Sequence, residues 1–100
     1  MSLYERLYDE AEQAKVRFVG FISDNGRYDY GIVYTNMFFG KPLVVCMQTG
    51  RSSLLSLEDA ENLDYLQRIF HLRSMDEARE VSIFLKSCLP ALGNQAEREY

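Results

Sequence analysis

His71 is the only histidine among the 100 residues, so any Ser-His or Cys-His nucleophile pair would have to be built on it. It sits between Phe70 and Leu72, late in an acidic segment with helical periodicity, where interaction with the dipole of a helix end is the preferred reading. Paired carboxylates, the raw material of general acid–base chemistry, occur as Glu58-Asp59 and Asp76-Glu77. Each pair falls in the first turn of an expected helix, and a capping role accounts for it. Cys46 and Cys88 lie far apart in apolar surroundings, with no C-x-x-C pair and no second histidine to complete a metal site. They read as two buried thiols rather than a disulfide. The glycines form neither a G-x-G-x-x-G fingerprint nor a P-loop, since Gly40-Lys41 is followed by Pro42 and by no helix. The expectation is a protein without catalytic residues, metal or cofactor.

Folding alone leaves one concentration of side chains unexplained. Tyr28, Tyr30 and Tyr34 fall on one side of an expected hairpin, and Phe38 and Phe39 follow in the adjoining loop. Three covers would serve: a helix at the N-terminus, the same surface of a second subunit, or the bases of a single-stranded nucleic acid. Arg17, Arg27, Lys41 and Arg51 are the candidate anion-binding residues for the last of these. No RNP-like motif accompanies them, and a pI of 4.9 opposes phosphate approach. A twofold contact can cover several hundred square ångströms, roughly the largest patch a monomer leaves wet, so a homodimer is preferred. An unidentified protein partner is a further candidate. The functional expectation is a homodimeric interaction or regulatory module using that aromatic sheet face, with a small nucleic-acid-binding domain as the alternative.

Composition sets the frame for these readings. Apolar residues at 47% and charged residues at 26% are globular averages, and 100 residues make one domain with a thin core. A single unit over 1–92 is expected, with a polar tail over 93–100. No window is long and apolar enough for a membrane span, and acids stand where a signal peptide would carry basic residues, so a cytoplasmic location is expected. The net charge of -4 is unevenly distributed. Residues 1–14 carry -3 (Glu5, Asp9, Glu10 and Glu12 against Arg6), whereas residues 15–55 carry +3 (Lys15, Arg17, Arg27, Lys41 and Arg51 against Asp24 and Asp29). Either the two parts attract each other within one fold, or the basic part faces an anionic ligand.

The elements that must position these residues are legible from spacing. Ser2-Leu3-Tyr4-Glu5 has the form of a capping box, and Leu3, Tyr4, Leu7, Tyr8, Ala11 and Ala14 then recur at helical spacing, which predicts a short N-terminal helix. Residues 16–22 and 27–35 read as strands joined across Asn25-Gly26 in a type I′ turn. That turn would place Gly20 opposite Gly31, Phe18 opposite Val33, Phe21 opposite Tyr30 and Val19 opposite Ile32. One face then carries Val16, Phe18, Ile22 and Val33, and the other carries Val19, Phe21, Ile32 and the three tyrosines. A second hairpin follows over 43–48 and 51–55, turning at Thr49-Gly50, with Leu43, Val45, Met47 and Leu54 on one side and Val44, Cys46 and Leu55 on the other. Ser56 opens a helical stripe through Phe70, interrupted near Asn62. Ser74-Met75-Asp76-Glu77 is a second capping box, opening a helix that Pro90 and Gly93 end. The predicted fold is α+β: a four-stranded antiparallel sheet of two hairpins flanked by an N-terminal helix and two C-terminal helices.

Arg17-Phe18-Val19-Gly20-Phe21, Arg27-Tyr28-Asp29, Val33-Tyr34-Thr35, Phe39-Gly40-Lys41 and Met47-Gln48-Thr49-Gly50-Arg51-Ser52 together resemble a small family of uncharacterised cytosolic proteins of Gram-positive bacteria, classed as a domain of unknown function. The resemblance runs from about Asp9 to Leu89. It implies a compact α+β fold and a tendency to form dimers, and it carries over no catalytic or binding residue. The family pattern implies a polar or acidic residue at the position of Cys46, where this chain departs from it.

Overall fold

The computed structural model describes residues 3–90. Strands β1 (Lys15–Ser23) and β2 (Gly26–Tyr34) form the first antiparallel hairpin, built from the β-branched and aromatic run expected there. Its turn is displaced from the prediction. Ser23 pairs with Gly26, so the two-residue loop is Asp24-Asn25, Phe18 lies opposite Gly31, and Gly20 lies opposite Asp29. Two local features select this turn: the Ser23 hydroxyl accepts the Asn25 N–H at 3.1 Å, and Gly26 takes φ 138°, a region closed to other residues. The turn moves back by one residue, which shifts the strand pairing by two, an even number, so every side chain keeps the face that its spacing assigned.

Strand β3 (Leu43–Cys46) pairs with β2, placing Ile32 opposite Val44 and Tyr30 opposite Cys46, and β4 (Ser52–Leu54) pairs with β3, placing Leu43 opposite Leu54. The sheet order is β1-β2-β3-β4. Strand β3 stops at Cys46, two residues short of the expected end, because the chain already turns at Met47. The Cys46 carbonyl accepts the Gly50 N–H at 2.8 Å, and Gly50 supplies the positive φ of 75°.

After the sheet, Ser56 and Asp59 satisfy each other: the Ser56 N–H reaches Asp59 Oδ2 at 2.9 Å and the Asp59 N–H reaches the Ser56 hydroxyl at 3.1 Å. The result is only a 3-10 turn, Asp59–Glu61, because Asn62 breaks the stripe where its spacing faltered. Asn62 then caps helix α1 (Leu63–Phe70) through the Tyr65 N–H. His71 ends that helix in the left-handed conformation, φ 53°, and the Leu72 N–H returns to the Gln67 carbonyl at 3.0 Å. Helix α2 (Met75–Cys88) starts at Ser74, whose hydroxyl accepts the Glu77 N–H at 3.2 Å. The Glu77 carboxylate completes the cap one residue earlier than usual, taking the Arg73 N–H at 2.7 Å and its guanidinium.

The N-terminal helix is absent. Residues 3–14 hold no helix, and Leu3, Tyr4, Leu7 and Tyr8 stand exposed. A short helix persists in water only when its stripe is docked, and none of the described residues receives this one. Ser2 of the expected capping box lies outside the described residues, as does the expected tail 93–100.

Both helices cover the same face of the sheet. Tyr28, Tyr30, Ile32 and Tyr34 of β2 and Val44 and Cys46 of β3 are buried there against Leu66, Phe70, Val81 and Leu85. The Tyr30 ring meets Phe70 edge-on at 5.3 Å, and Phe21 stacks on Tyr28 at 4.8 Å. The three tyrosines expected on a partner surface are therefore core residues, sheltered by the chain's own C-terminal helices.

Candidate functional site

Alternation along the strands sends the remaining apolar side chains to the opposite face, which no helix among the described residues covers. Phe18 is 75% exposed, Ile22 79% and Met47 52%, with Val16 also exposed and Val33, Leu43, Val45 and Leu54 half-buried between them. Gly31 leaves a depression that Phe18 spans: a Cβ at Gly31 would stand 3.3 Å from the Phe18 ring and 3.7 Å from the Met47 sulfur. Polar groups close one end, where Asp29 accepts from Arg27 at 2.9 and 3.2 Å and from Gln48 at 2.6 Å. At roughly 150–250 Å² per large ring, the exposed side chains leave on the order of 500 Å² of apolar surface in one patch, the upper part of what a monomer shows.

The other end deepens into an apolar hollow of about 380 Å³ lined by Val33, Leu43, Leu54, Met37 and Phe38, with Glu12 and Thr35 at its rim. Its wall is strained. Phe38, Phe39 and Gly40 take φ of 54°, 62° and 74°, three successive left-handed residues of which two are aromatic. Such a conformation costs about 1–3 kcal/mol for each non-glycine residue, and the Phe39 ring regains none of it inside the chain, being 95% exposed. Across the rim, both oxygens of Glu12 are used, one accepting the Thr35 hydroxyl at 2.6 Å and the other the Asn36 N–H at 2.7 Å. Those bonds, the Thr35 hydroxyl foremost, hold the Glu12 carboxyl below the usual carboxylate range. Glu12 thus clamps the N-terminal arm beside the hollow.

Of the five aromatic residues proposed from sequence for partner binding, Phe38 and Phe39 reach the surface and Tyr28, Tyr30 and Tyr34 do not. The four candidate anion-binding residues are not brought together. Arg17 reaches the Tyr34 hydroxyl at 3.4 Å, Arg27 holds Asp29, Lys41 pairs with Asp59 at 3.3 Å, and Arg51 donates to the Ile69 carbonyl at 2.7 Å. His71 stands exposed at its helix end and lines a smaller cleft, about 190 Å³, with Tyr30, Cys46, Gln48 and Arg73. Cys46 is buried, and its thiol lies 3.7 Å from Gln48 Oε1. Cys88 is half-buried, and both thiols are free. Among the described residues no three His, Cys, Asp or Glu side chains gather as a metal site would require, and no helix is long and apolar enough to cross a membrane.

Sequence reasoning missed the Glu12 clamp and the choice of open face. A carboxylate 23 residues from its hydroxyl partner leaves no local signal. Both sheet faces were read as apolar, but the second was expected to lie near the N-terminal helix, which does not form.

No curated protein matches the chain. A family model described as SAV0927-like matches residues 7–87, which spans both hairpins, helix α1, all but the last residue of helix α2 and the clamp at Glu12. The chain belongs to the SAV0927-like family.

Proposed function

We propose that the chain is a non-enzymatic interaction module that works as a homodimer, with the open sheet face, the hollow and the Phe38-Phe39 turn as its contact surface. The observation that carries this reading is the continuous apolar patch from Ile22 and Phe18 to Phe38, on the side of the sheet that no helix among the described residues covers. A second copy suits it because the face holds both projections and recesses. Phe18 and Ile22 stand out, while the hollow beside Leu43 and Leu54 and a second recess at Gly20 and Ile22 receive, and a twofold contact needs both on one surface. The strained Phe39, exposed at the edge of the patch, has the character of an anchor residue. A basic, tyrosine-rich nucleic-acid surface has less behind it, since the tyrosines face inward and the cations have partners in the same chain.

Size-exclusion chromatography with light scattering at tens of micromolar tests the reading. The expected mass is twice the 11.6 kDa of the chain. Phe18→Asp should return it to the monomer with an unchanged far-ultraviolet spectrum, because Phe18 supports nothing in the core. A wild-type monomer at that concentration would remove the proposal.

A further inference from the structure

Two apolar surfaces of this chain are uncovered at once: the open sheet face and the arm over residues 3–14. The arm's apolar residues, Leu3, Tyr4, Leu7 and Tyr8, follow helical spacing, yet Leu3 is 94% and Leu7 89% exposed and no helix forms. A helical stripe without a helix is what a segment looks like when its docking surface is missing. We infer that the arm of one protomer docks as a short amphipathic helix on the open sheet face of a second copy, with the exchange reciprocal about a twofold axis.

This inference rests on the homodimer reading and states what fills its surface. Dimensions support the match: the nine residues 3–11 ahead of the Glu12 clamp span roughly 13 Å as a helix, which fits along the open face between Val16 and Ile22 of β1. The Glu12 clamp fixes where the arm departs, at the rim of the hollow, and from there the arm lies away from its own sheet and leaves Phe18 and Ile22 open. Exchange between two copies covers both surfaces twice over in one closed contact.

The test uses the full chain with Cys88→Ser, so that a nitroxide spin label can be placed on Glu5→Cys, off the apolar stripe of the arm, while Cys46 stays buried. Labelled protein at natural isotope abundance is mixed with unlabelled, nitrogen-15-enriched protein lacking the Glu5 substitution, and amide broadening is read in the enriched chains against a reduced-label control. Broadening at Phe18, Gly31 and Val45 of the enriched chains is the expected result, since only an arm from another copy can produce it. A light-scattering dimer without that broadening would overturn arm exchange and leave the homodimer standing. Broadening confined to a chain that carries both label and isotope would overturn it in favour of an arm folded on its own sheet. A monomer would overturn both readings. In a second measurement, Leu7→Asp with Tyr8→Asp should raise the dimer dissociation constant at least about a hundredfold, from the loss of two large buried side chains. An unchanged constant would also defeat the inference.

Discussion

The Tyr28 hydroxyl donates to Glu80 Oε1 at 2.9 Å, joining the middle of the sheet to helix α2. The same oxygen accepts the Ser23 hydroxyl at 2.8 Å and the other accepts the Asn25 amide at 3.1 Å, so one carboxylate gathers the strand, its turn and the helix. Burial, and then the bond to Glu80, pushes the Tyr28 phenol up to about 12. This is how Tyr28 occupies the inner face: helix α2 presents a polar acceptor to the one polar atom that its ring carries inward. Tyr34 is served in the same way by the Cys88 carbonyl at 2.9 Å.

Glu80 should make the fold acid-sensitive. The Ser23 hydroxyl, with Tyr28 and Asn25, holds its carboxyl below the ordinary value of 4.5. A carboxyl whose folded value is depressed contributes stability that is complete above the unfolded value and fades as the pH falls through the folded one. Glu80→Gln should therefore lower the melting temperature at pH 7, with the difference from wild type shrinking below about pH 4.5. Glu12 and Asp59 are depressed in the same direction, so the variant keeps part of its acid sensitivity. Thermal unfolding followed by circular dichroism between pH 3 and pH 7 reads both effects.

Tyr30 should respond to loss of its hydroxyl with the opposite sign to Tyr28. Its hydroxyl is sealed from water with no well-formed hydrogen bond among the described residues, only the weakly polar Cys46 thiol beside it, and burial pushes the phenol well above its ordinary value. An unsatisfied buried hydroxyl costs about 1–3 kcal/mol, so Tyr30→Phe should stabilise the chain by about 1 kcal/mol, whereas Tyr28→Phe should destabilise it by a similar amount. Urea denaturation of the two variants side by side gives the comparison. Equal destabilisation would show that the Tyr30 oxygen is satisfied.

Most of the frame was legible because it rests on local rules. Ser74 and Glu77 announced helix α2, Asn62 announced the break before helix α1, and the period-two alternation put Phe18 and Tyr30 on opposite faces. The turn was misplaced because the Ser23 hydroxyl and the torsion of Gly26 outweigh the Asn-Gly preference, and the faces survived only because the shift in pairing is even. Which face the helices cover was not legible, since both are apolar and the deciding groups, Glu80 and the Cys88 carbonyl, lie more than 50 residues away. The N-terminal helix failed for a related reason. Spacing at Leu3, Leu7 and Tyr8 reports what the arm can form, and docking decides whether it forms.

The strained turn offers a separation of stability from association. Phe39 has left-handed torsions of 62° and 22° and a ring almost wholly in solvent, so the lone chain gains nothing from its side chain. Asparagine tolerates that conformation better than an aromatic residue. Phe39→Asn should raise stability by about 1 kcal/mol, measured on protein dilute enough to be monomeric. The same substitution should weaken self-association at tens of micromolar. A variant that gains stability without losing association would show that the turn is strained for some reason other than contact.

Gly31 provides the least disruptive probe of the open face. A methyl group there meets the Phe18 ring at 3.3 Å, closer than comfortable packing, but the ring is mostly in solvent and is free to swing aside. The core lies on the other side of the sheet and does not sense the change. Gly31→Ala should therefore leave the monomer's stability within about 0.5 kcal/mol of wild type. The displaced Phe18 no longer lies flat across the depression, so the dimer dissociation constant should rise at least about tenfold. Sedimentation equilibrium on the variant and on wild type distinguishes the outcomes. An unchanged constant would mean that the contact between copies does not include the centre of the sheet, and would move the interface to the hollow and the Phe38-Phe39 turn.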